Sequence, residues 1–443
     1  MTSLARTVRR PAALALALPL ALLAGCGDGG SSAGSSSPSA SAADTQAPQA
    51  TEEAASTPRL ALTYDGGIQV LDATTLEVIG EMELDGFNRL NAAGDGRHVL
   101  VSTTGGFQVL DAGTWATPHG DHDHYYTADP VLTDVMLDAE TPGHVVVHEG
   151  RTALFDDGTG EVVVLDSVES ADGHVDRELT LPAAHHGVAV ELMDGTLVVS
   201  EGAEEGRTGV RALDADDQEI ASIDTCPGVH GEAMAADEAV VIGCEDGVVI
   251  FSGGTFTKVQ APDAYGRIGN QAGSEASSVV LGDYKTDEDA ELERPTRVSL
   301  TDTATQTLTL VDLPASYSFR SLGRGEDGEA LLLGTDGALH VIDPTSGAIV
   351  RSVPVVQPWE EPIEWQEPRP TLHVLDGTAY VTEPASNMIH AVDVQTGEVW
   401  NSVELTVTPN ELNSASGAVE HGAEHAFGGE DEHDHEDDED EDA

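Results

Sequence analysis

Hydrophobic and polar positions along the middle of the chain repeat one pattern. Each copy has a short β-branched strand, a Gly/Asp turn, a second strand ending in residues such as VLD, and a more polar third strand. No long stretch has the 3.6-residue apolar period of an amphipathic helix. The copies occupy residues 60–84, 98–116, 144–166, 195–223, 239–260, 277–311, 329–355 and 377–405. Eight units of about 43 residues each predict an all-β fold, a single β-propeller of four-stranded blades.

The copy number favours eight blades, although seven stays open because the first unit lacks an obvious leading strand. We assign residues 59–410 to the propeller. The amino-terminal segment and the end of the chain should share one blade, because the sheet edges of an open ring would have to be covered or paired.

The first residues predict export. Residues 1–25 combine Arg6, Arg9 and Arg10 with an apolar stretch that is short for a membrane span, as in a secretory signal. The tetrapeptide LAGC ending at Cys26 resembles the bacterial lipobox, whose cysteine carries the lipid; an ordinary cleaved signal is the alternative. We therefore expect an extracytoplasmic protein held to the cell membrane by its lipid anchor alone. Residues 26–58 are rich in Gly, Ser, Ala and Pro and predict a disordered tether.

Charge narrows the class of partner. Of 443 residues, 80 are Asp or Glu and 19 are Lys or Arg, so the formal net charge is −61. Such a surface would repel the phosphates of nucleic acid, and we expect no nucleic-acid partner.

Residues 411–443 predict a disordered acidic tail in which histidines could capture divalent metal as an auxiliary site, although a merely solvated tail is the alternative. These histidines are His421, His425, His433 and His435.

The cysteines that follow Cys26 are Cys226 and Cys244, 18 residues apart. Export permits a disulfide, and two adjacent strands can close such a span. A thiolate metal site is the alternative.

Histidines concentrate in the segments between units. We place the HGDHDHYY loop between units two and three, PAAHHG before unit four, CPGVHG before unit five, and VVVHEG between the second and third strands of unit three. These connections open onto one face of a propeller, so the rings should converge on one rim. Imidazole nitrogens are strong Zn(II) ligands. The main predicted ligands are His122, His124, His186 and His230; Asp121, Asp123, His119, His148 and His185 are further candidates.

Other histidines, taken one at a time, suit ordinary structural roles better than metal binding. They are His98, His144, His174, His340, His373 and His390.

The HGDHDHYY loop and the HHG and VHG segments together resemble the AztD family of secreted zinc metallochaperones. The resemblance implies a β-propeller that binds Zn(II) through His122, His124, His186 and His230 and passes it to the solute-binding protein of an Azt-type zinc ABC transporter. Family members can carry a mobile His-x-Asp-His element near the amino end, whereas the tether here has no histidine. The segment from His433 to His435 would have to take that place.

We therefore expect a monomeric zinc chaperone and not an enzyme. A propeller hydrolase or quinone-dependent enzyme is one alternative, disfavoured because basic residues are scarce in the predicted channel loops. A protein-interaction platform with incidental metal binding is another.

Overall fold

The computed structural model describes residues 50–120, 122–203 and 206–420. Within these ranges the chain forms seven four-stranded antiparallel sheets, one sheet of four antiparallel strands with a short fifth strand added, and one small three-stranded sheet. Helical structure in them is confined to the 3-10 turns Ser167–Asp172 and Ala236–Glu238. The predicted all-β propeller with eight blades is confirmed.

Each blade runs from a strand beside the central channel to a strand at the periphery. Blade 1 contains Leu412–Ala415, Arg59–Tyr64, Gly67–Asp72 and Val78–Glu83. Blade 2 contains Arg89–Ala92, His98–Thr103, Gly106–Asp111 and Val131–Asp138. Blade 3 contains Pro142–His148, Arg151–Asp156, Glu161–Asp166 and Arg177–Thr180. Blade 4 contains Ala189–Glu191, Leu197–Ala203, Gly206–Leu213 and Glu219–Ile223.

The second half of the ring repeats this arrangement. Blade 5 contains Glu232–Ala235, Ala239–Cys244, Asp246–Ser252 and Thr255–Gln260, and Gly266–Arg267 pairs with its third strand in parallel. Blade 6 contains Gln271–Ala272, Val279–Asp283, Arg297–Asp302 and Thr307–Asp312. Blade 7 contains Leu322–Arg324, Ala330–Leu333, Ala338–Ile342 and Ile349–Pro354. Blade 8 contains Leu372–Leu375, Thr378–Glu383, Met388–Asp393 and Val399–Glu404.

The hydrophobic core lies between blades. Successive side chains of a strand point to opposite faces of its sheet, so alternate residues pack against the preceding and the following blade. In blade 1, Leu60 and Leu62 pack against blade 8, whereas Ala61 packs against blade 2. Each of the eight hydrophobic clusters in the described residues joins two neighbouring blades, including the eighth and the first. Both faces of every blade are therefore covered.

The ring closes through strands from the two ends of the chain, as predicted. Leu412–Ala415 pairs antiparallel with Arg59–Tyr64 and forms the innermost strand of blade 1. Glu411, just before this strand, forms a buried ion pair with Arg320. The predicted boundary at residue 410 is therefore wrong. The sequence ELNSASGA looks like the start of a polar tail, but its backbone supplies the hydrogen bonds that the edge of blade 1 requires.

The predicted tether also ends earlier than expected. Thr51–Glu53 pairs with His122–Thr127, which pairs with Thr114–His119, and these strands form the small three-stranded sheet. The predicted signal, Cys26 and residues 421–443 of the predicted tail lie outside the described residues. Within the described ranges we find no helix with the length and apolarity needed to span a bilayer.

The structure contains the disulfide between Cys226 and Cys244, with the Cα atoms 5.0 Å apart. Both residues are fully buried. The bridge ties the connection that enters blade 5 to the second strand of that blade.

Two truncations test the closing strand. A chain ending at Glu420 keeps Leu412–Ala415 and should unfold in the same thermal transition as the full chain. A chain ending at Asn410 leaves the edge of Arg59–Tyr64 unpaired and opens the blade 8–blade 1 interface, so its melting temperature should fall sharply. Leu412→Ala in the full chain should cost about 2–5 kcal/mol, because the side chain is 6% exposed. Equal melting temperatures for the two truncations, measured by circular dichroism, would contradict this role.

Candidate metal centre

The structure divides the predicted histidines between two clusters. His119, His122 and His124 form the hairpin cluster, and His144, His186 and His230 form the channel cluster; within each, one ligand atom per residue lies within 4.8 Å of the others. The expectation that His122, His124, His186 and His230 meet at one point is therefore wrong.

The hairpin accounts for the difference. We expected it in the connection between blades 2 and 3, but it is inserted between the third strand of blade 2, Gly106–Asp111, and the outer strand, Val131–Asp138. That turn lies at the opposite end of the blade from the connections that carry His186 and His230. The outer strand escaped notice because most of its residues are exposed or half-buried and it lacks the apolar run of the inner strands.

The channel cluster lies where inner strands begin. His144 belongs to the innermost strand of blade 3, His186 to the connection entering blade 4, and His230 to the connection entering blade 5. Nε2 of His186 is 3.2 Å from Nε2 of His230. The ring centroid of His144 is 5.0 Å from that of His186 and 5.8 Å from that of His230. The rings line a cavity of about 540 Å³.

An oxygen atom holds the Nδ1 atom of each ring. His186 Nδ1 is 2.5 Å from Asp157 Oδ2, His230 Nδ1 is 2.5 Å from the Gly269 carbonyl oxygen, and His144 Nδ1 is 3.0 Å from Glu232 Oε2. A carbonyl can only accept, so His230 must donate from Nδ1, and its neutral ring then presents a lone pair at Nε2. Metal-binding histidines characteristically have such outer oxygen partners, which fix the tautomer and the ring orientation.

The spacing of the nitrogens suits a zinc ion. Nitrogens at 2.0–2.1 Å from tetrahedral Zn(II) lie about 3.3 Å apart, close to the distance between the Nε2 atoms of His186 and His230. Two lone pairs at that distance repel each other unless a proton or a cation lies between them. Three imidazoles leave one of four coordination positions for an exchangeable ligand, as in zinc sites that are not purely structural.

The backbone around each histidine explains the His-Gly pairs in the sequence. A Cβ atom on Gly187 would lie 2.1 Å from the Phe155 ring, and Gly231 has φ +74° with the Gly269 carbonyl oxygen 2.6 Å from where its Cβ would be. Glycine is therefore required after both His186 and His230. The Cys226–Cys244 disulfide and the hydrogen bond from His230 N to Gly243 O (3.1 Å) hold the second connection against blade 5.

The net pKa shifts of two of the rings have opposite signs. Burial lowers the pKa of His144, but the Glu232 carboxylate raises it and prevails, so the net pKa is raised. Burial and the neighbouring His144 and Arg267 hold the pKa of His230 well below its ordinary value. His230 is therefore neutral and available to a metal near neutral pH.

Sequence reasoning missed His144, which we had assigned an ordinary role. We had placed the VVVHEG segment between the second and third strands of unit three, which makes HVVV part of a second strand, whereas Pro142–His148 is the innermost strand of blade 3. A signal was present: His144 lies near the start of a strand that follows a connection, the position that faces the channel mouth in every blade.

The hairpin cluster is exposed at the other end of blade 2. His119 Nδ1 is 3.1 Å from His124 Nε2, and His124 Nδ1 is 2.9 Å from Oε1 of Glu52, a partner contributed by the amino-terminal strand. Asp123 is exposed and is not part of this cluster, and Asp121 lies outside the described residues.

The remaining predicted ligands lie elsewhere. Both ring nitrogens of buried His185 have partners, the Ala183 carbonyl oxygen and Ser200 Oγ, each at 3.0 Å. His148 ends the innermost strand of blade 3, not a second strand as predicted, so it lies at the opposite end of that strand from His144; its Nε2 is 3.3 Å from Glu238 Oε1. The tail histidines from His421 onward are outside the described residues.

Comparison with known proteins finds one relative along most of the chain and solved structures with the same fold. A zinc chaperone, AztD of Citrobacter koseri, is 25% identical over 389 residues, which cover 85% of this chain and 88% of that protein. The crystal structure of Citrobacter koseri AztD superposes with a TM-score of 0.70 over 81% of this chain and 98% of that chain, at 23% identity. The resemblance to AztD is confirmed.

The other comparisons add the fold alone. The dihydro-heme d1 dehydrogenase NirN matches with a TM-score of 0.53 at 11% identity over 82% of this chain and 75% of its own. No protein-family model matches the sequence. AztD is named as a chaperone and not as an enzyme, which agrees with the expectation that this chain is not an enzyme.

The outer carboxylate of the channel cluster can be tested directly. Glu232→Gln keeps an acceptor oxygen for His144 but removes the negative charge, so zinc affinity at this cluster should fall about 10–100-fold. Calorimetric zinc titration measures the change. Glu383→Gln, which removes a carboxylate 3.7 Å from His390 in blade 8, is the control and should bind zinc like the parent chain. Equal affinities for the two variants would mean that Glu232 does not support a metal ligand.

Proposed function

We propose that this chain is a zinc chaperone that holds Zn(II) at the channel cluster of His144, His186 and His230. The single observation that carries the proposal is the arrangement of the three rings. Each Nδ1 is held by an oxygen, and Nε2 is left for metal. AztD, a named zinc chaperone, is similar over most of both chains.

The chemistry of the donors supports reversible binding. Three neutral imidazoles and an open position bind zinc firmly while leaving room for an incoming ligand to begin exchange. We further propose that the acceptor is the solute-binding protein of a zinc ABC transporter, and that the chain acts outside the cytoplasm, tethered through Cys26. The exposed hairpin cluster and the tail histidines would serve as auxiliary capture sites.

Substitution of the rings tests the main site. His186→Ala/His230→Ala removes two ligands, so zinc affinity should fall by more than the 10–100-fold that loss of an outer partner costs. His340→Ala is the control, because His340 is also buried beside a carboxylate, Asp336 at 3.3 Å, but belongs to blade 7. Calorimetry and metal content of the purified variants provide the measurement. The His119→Ala/His122→Ala/His124→Ala variant should keep the tight site, and tight binding lost only in this hairpin variant would overturn the assignment.

Zinc affinity should also decrease with falling pH. A protonated imidazole cannot bind metal, and Glu232 raises the pKa of His144 above its ordinary value of about 6.5. Protons therefore begin to compete at His144 above that pH, and affinity should fall as the pH decreases toward and below that value. Competition with a zinc-sensitive dye at several pH values measures this, with the His186→Ala/His230→Ala variant subtracted for zinc held elsewhere. A constant difference between the two chains at all these pH values would contradict the prediction.

A further inference from the structure

Two arginines beside the channel cluster have no acidic partner among the residues that the structure describes. Arg89 and Arg267 line the same cavity as the three histidines. Neither makes an ion pair or a side-chain hydrogen bond within residues 50–120, 122–203 and 206–420. Carboxylates outnumber basic residues about fourfold in this chain, and most other arginines of the propeller pair with one, for example Arg97 with Asp111 and Arg177 with Glu191. Two unpaired guanidinium groups at one cavity are therefore unexpected.

Both arginines come from segments next to those that carry the rings. The Arg267 guanidinium lies over Gly269, where Nη1 would be 2.4 Å from an added Cβ, and the Gly269 carbonyl oxygen accepts the hydrogen bond from His230. Arg89 starts the innermost strand of blade 2, next to the innermost strand of blade 3 that carries His144. Lys285 also lines the cavity, 3.8 Å from Asp283, which is long for an ion pair.

The carboxylates of the cavity are already engaged. Glu232 contacts His144, and Asp157, behind His186, accepts from His186 Nδ1. Asp283 is 3% exposed and accepts from the backbone N–H groups of Gly269 and Asn270 at 2.7 and 3.0 Å. Because these carboxylates already have partners, the positive charges of Arg89 and Arg267 remain at the cavity. They lie beside the proposed metal site and its open coordination position.

We propose that Arg89 and Arg267 form an anion site that brings a carboxylate to the open position of the channel cluster. A guanidinium group matches a carboxylate in shape and charge, and it is the side chain best suited to bind one. An acidic ligand that approaches a protein with a net charge of −61 is repelled. A local region of positive charge at the cavity therefore determines whether the ligand reaches the zinc. The inference rests on the proposed function and names the chemistry of the zinc acceptor: a group that presents carboxylate ligands.

The carboxylate could belong to a small molecule or to a side chain of the acceptor protein. The exposed residues at the rim of the same cavity favour a protein as the source of the carboxylate. Trp365 lines it, is 50% exposed and makes an edge contact with Phe87, with ring centroids 5.0 Å apart; Ile363, two residues earlier, is 61% exposed. Exposed tryptophan beside arginine is the composition of protein-binding hot spots.

Citrate binding to the metal-free full chain tests the anion site without zinc. Calorimetry should detect citrate binding to the parent chain, and Arg89→Gln/Arg267→Gln should weaken it at least about tenfold. Arg351→Gln is the control, because Arg351 lies in the outer strand of blade 7 and donates to the Val394 carbonyl oxygen. Failure of the parent chain to bind citrate, or equal loss in the control, would overturn the proposal.

Zinc removal from the loaded full chain tests the link to transfer. The tetracarboxylate chelator EDTA should extract zinc about tenfold more slowly from Arg89→Gln/Arg267→Gln than from the parent, and added salt should shrink this difference. The uncharged pyridyl chelator TPEN should extract zinc from the parent and from the double variant at the same rate. Equal effects on both chelators would overturn the inference while leaving the chaperone proposal intact. Absence of tight zinc binding in the parent would instead refute the chaperone proposal.

The same comparison with the solute-binding protein as acceptor separates the two carboxylate sources. Slower transfer to that protein from the double variant, matching the EDTA result, assigns the carboxylate to the acceptor. Unchanged transfer to the protein with slowed EDTA extraction assigns it to small molecules. Both results support an anion site.

Discussion

Burial of apolar side chains between neighbouring blades is the interaction on which the rest of the structure depends. A single four-stranded sheet of this size has two apolar faces and could not be stable alone, and each face is covered only because the next blade is present. The ring must therefore close, and closure falls to the pairing of Leu412–Ala415 with Arg59–Tyr64. The core residues Leu60, Ile389 and Leu412 of the final interface come from opposite ends of the chain.

Closure also creates the site. Eight strands around a central channel bring the connections between blades to one mouth, where His186 and His230 approach each other across 44 residues of sequence. Their positions follow from tight backbone packing at Gly187 and Gly231 and from the disulfide that holds the connection into blade 5. Rings held in this way lose little freedom when a metal binds. Such preorganisation is what distinguishes a site from a group of surface histidines.

The charge distribution at that mouth differs from the rest of the protein. The chain is strongly acidic, yet the cavity that holds the channel cluster is flanked by Arg89, Arg267 and Lys285. These charges oppose the approach of a free cation and favour anionic ligands, as the proposed anion site requires. At the hairpin cluster, by contrast, the exposed Glu52 carboxylate beside His124 attracts cations. The two clusters therefore differ in the sign of the charge that lies beside their rings.

Much of this was determined locally and could be predicted. Short, largely buried apolar segments such as GIQVLD and EVVVLD define the strands, the recurrence of these segments defines the blades, and the separation of Cys226 and Cys244 made their disulfide foreseeable. His186 and His230 were also recognisable, since each precedes a glycine in a connection to an inner strand. What only the tertiary structure decided was which histidines lie close enough together to hold one ion. A weakly apolar outer strand, Val131–Asp138, moved the hairpin to the opposite face, and the start of an inner strand brought His144 into the cluster instead. Local sequence sets the path of each strand, but the distance between residues far apart in the chain depends on the closed ring.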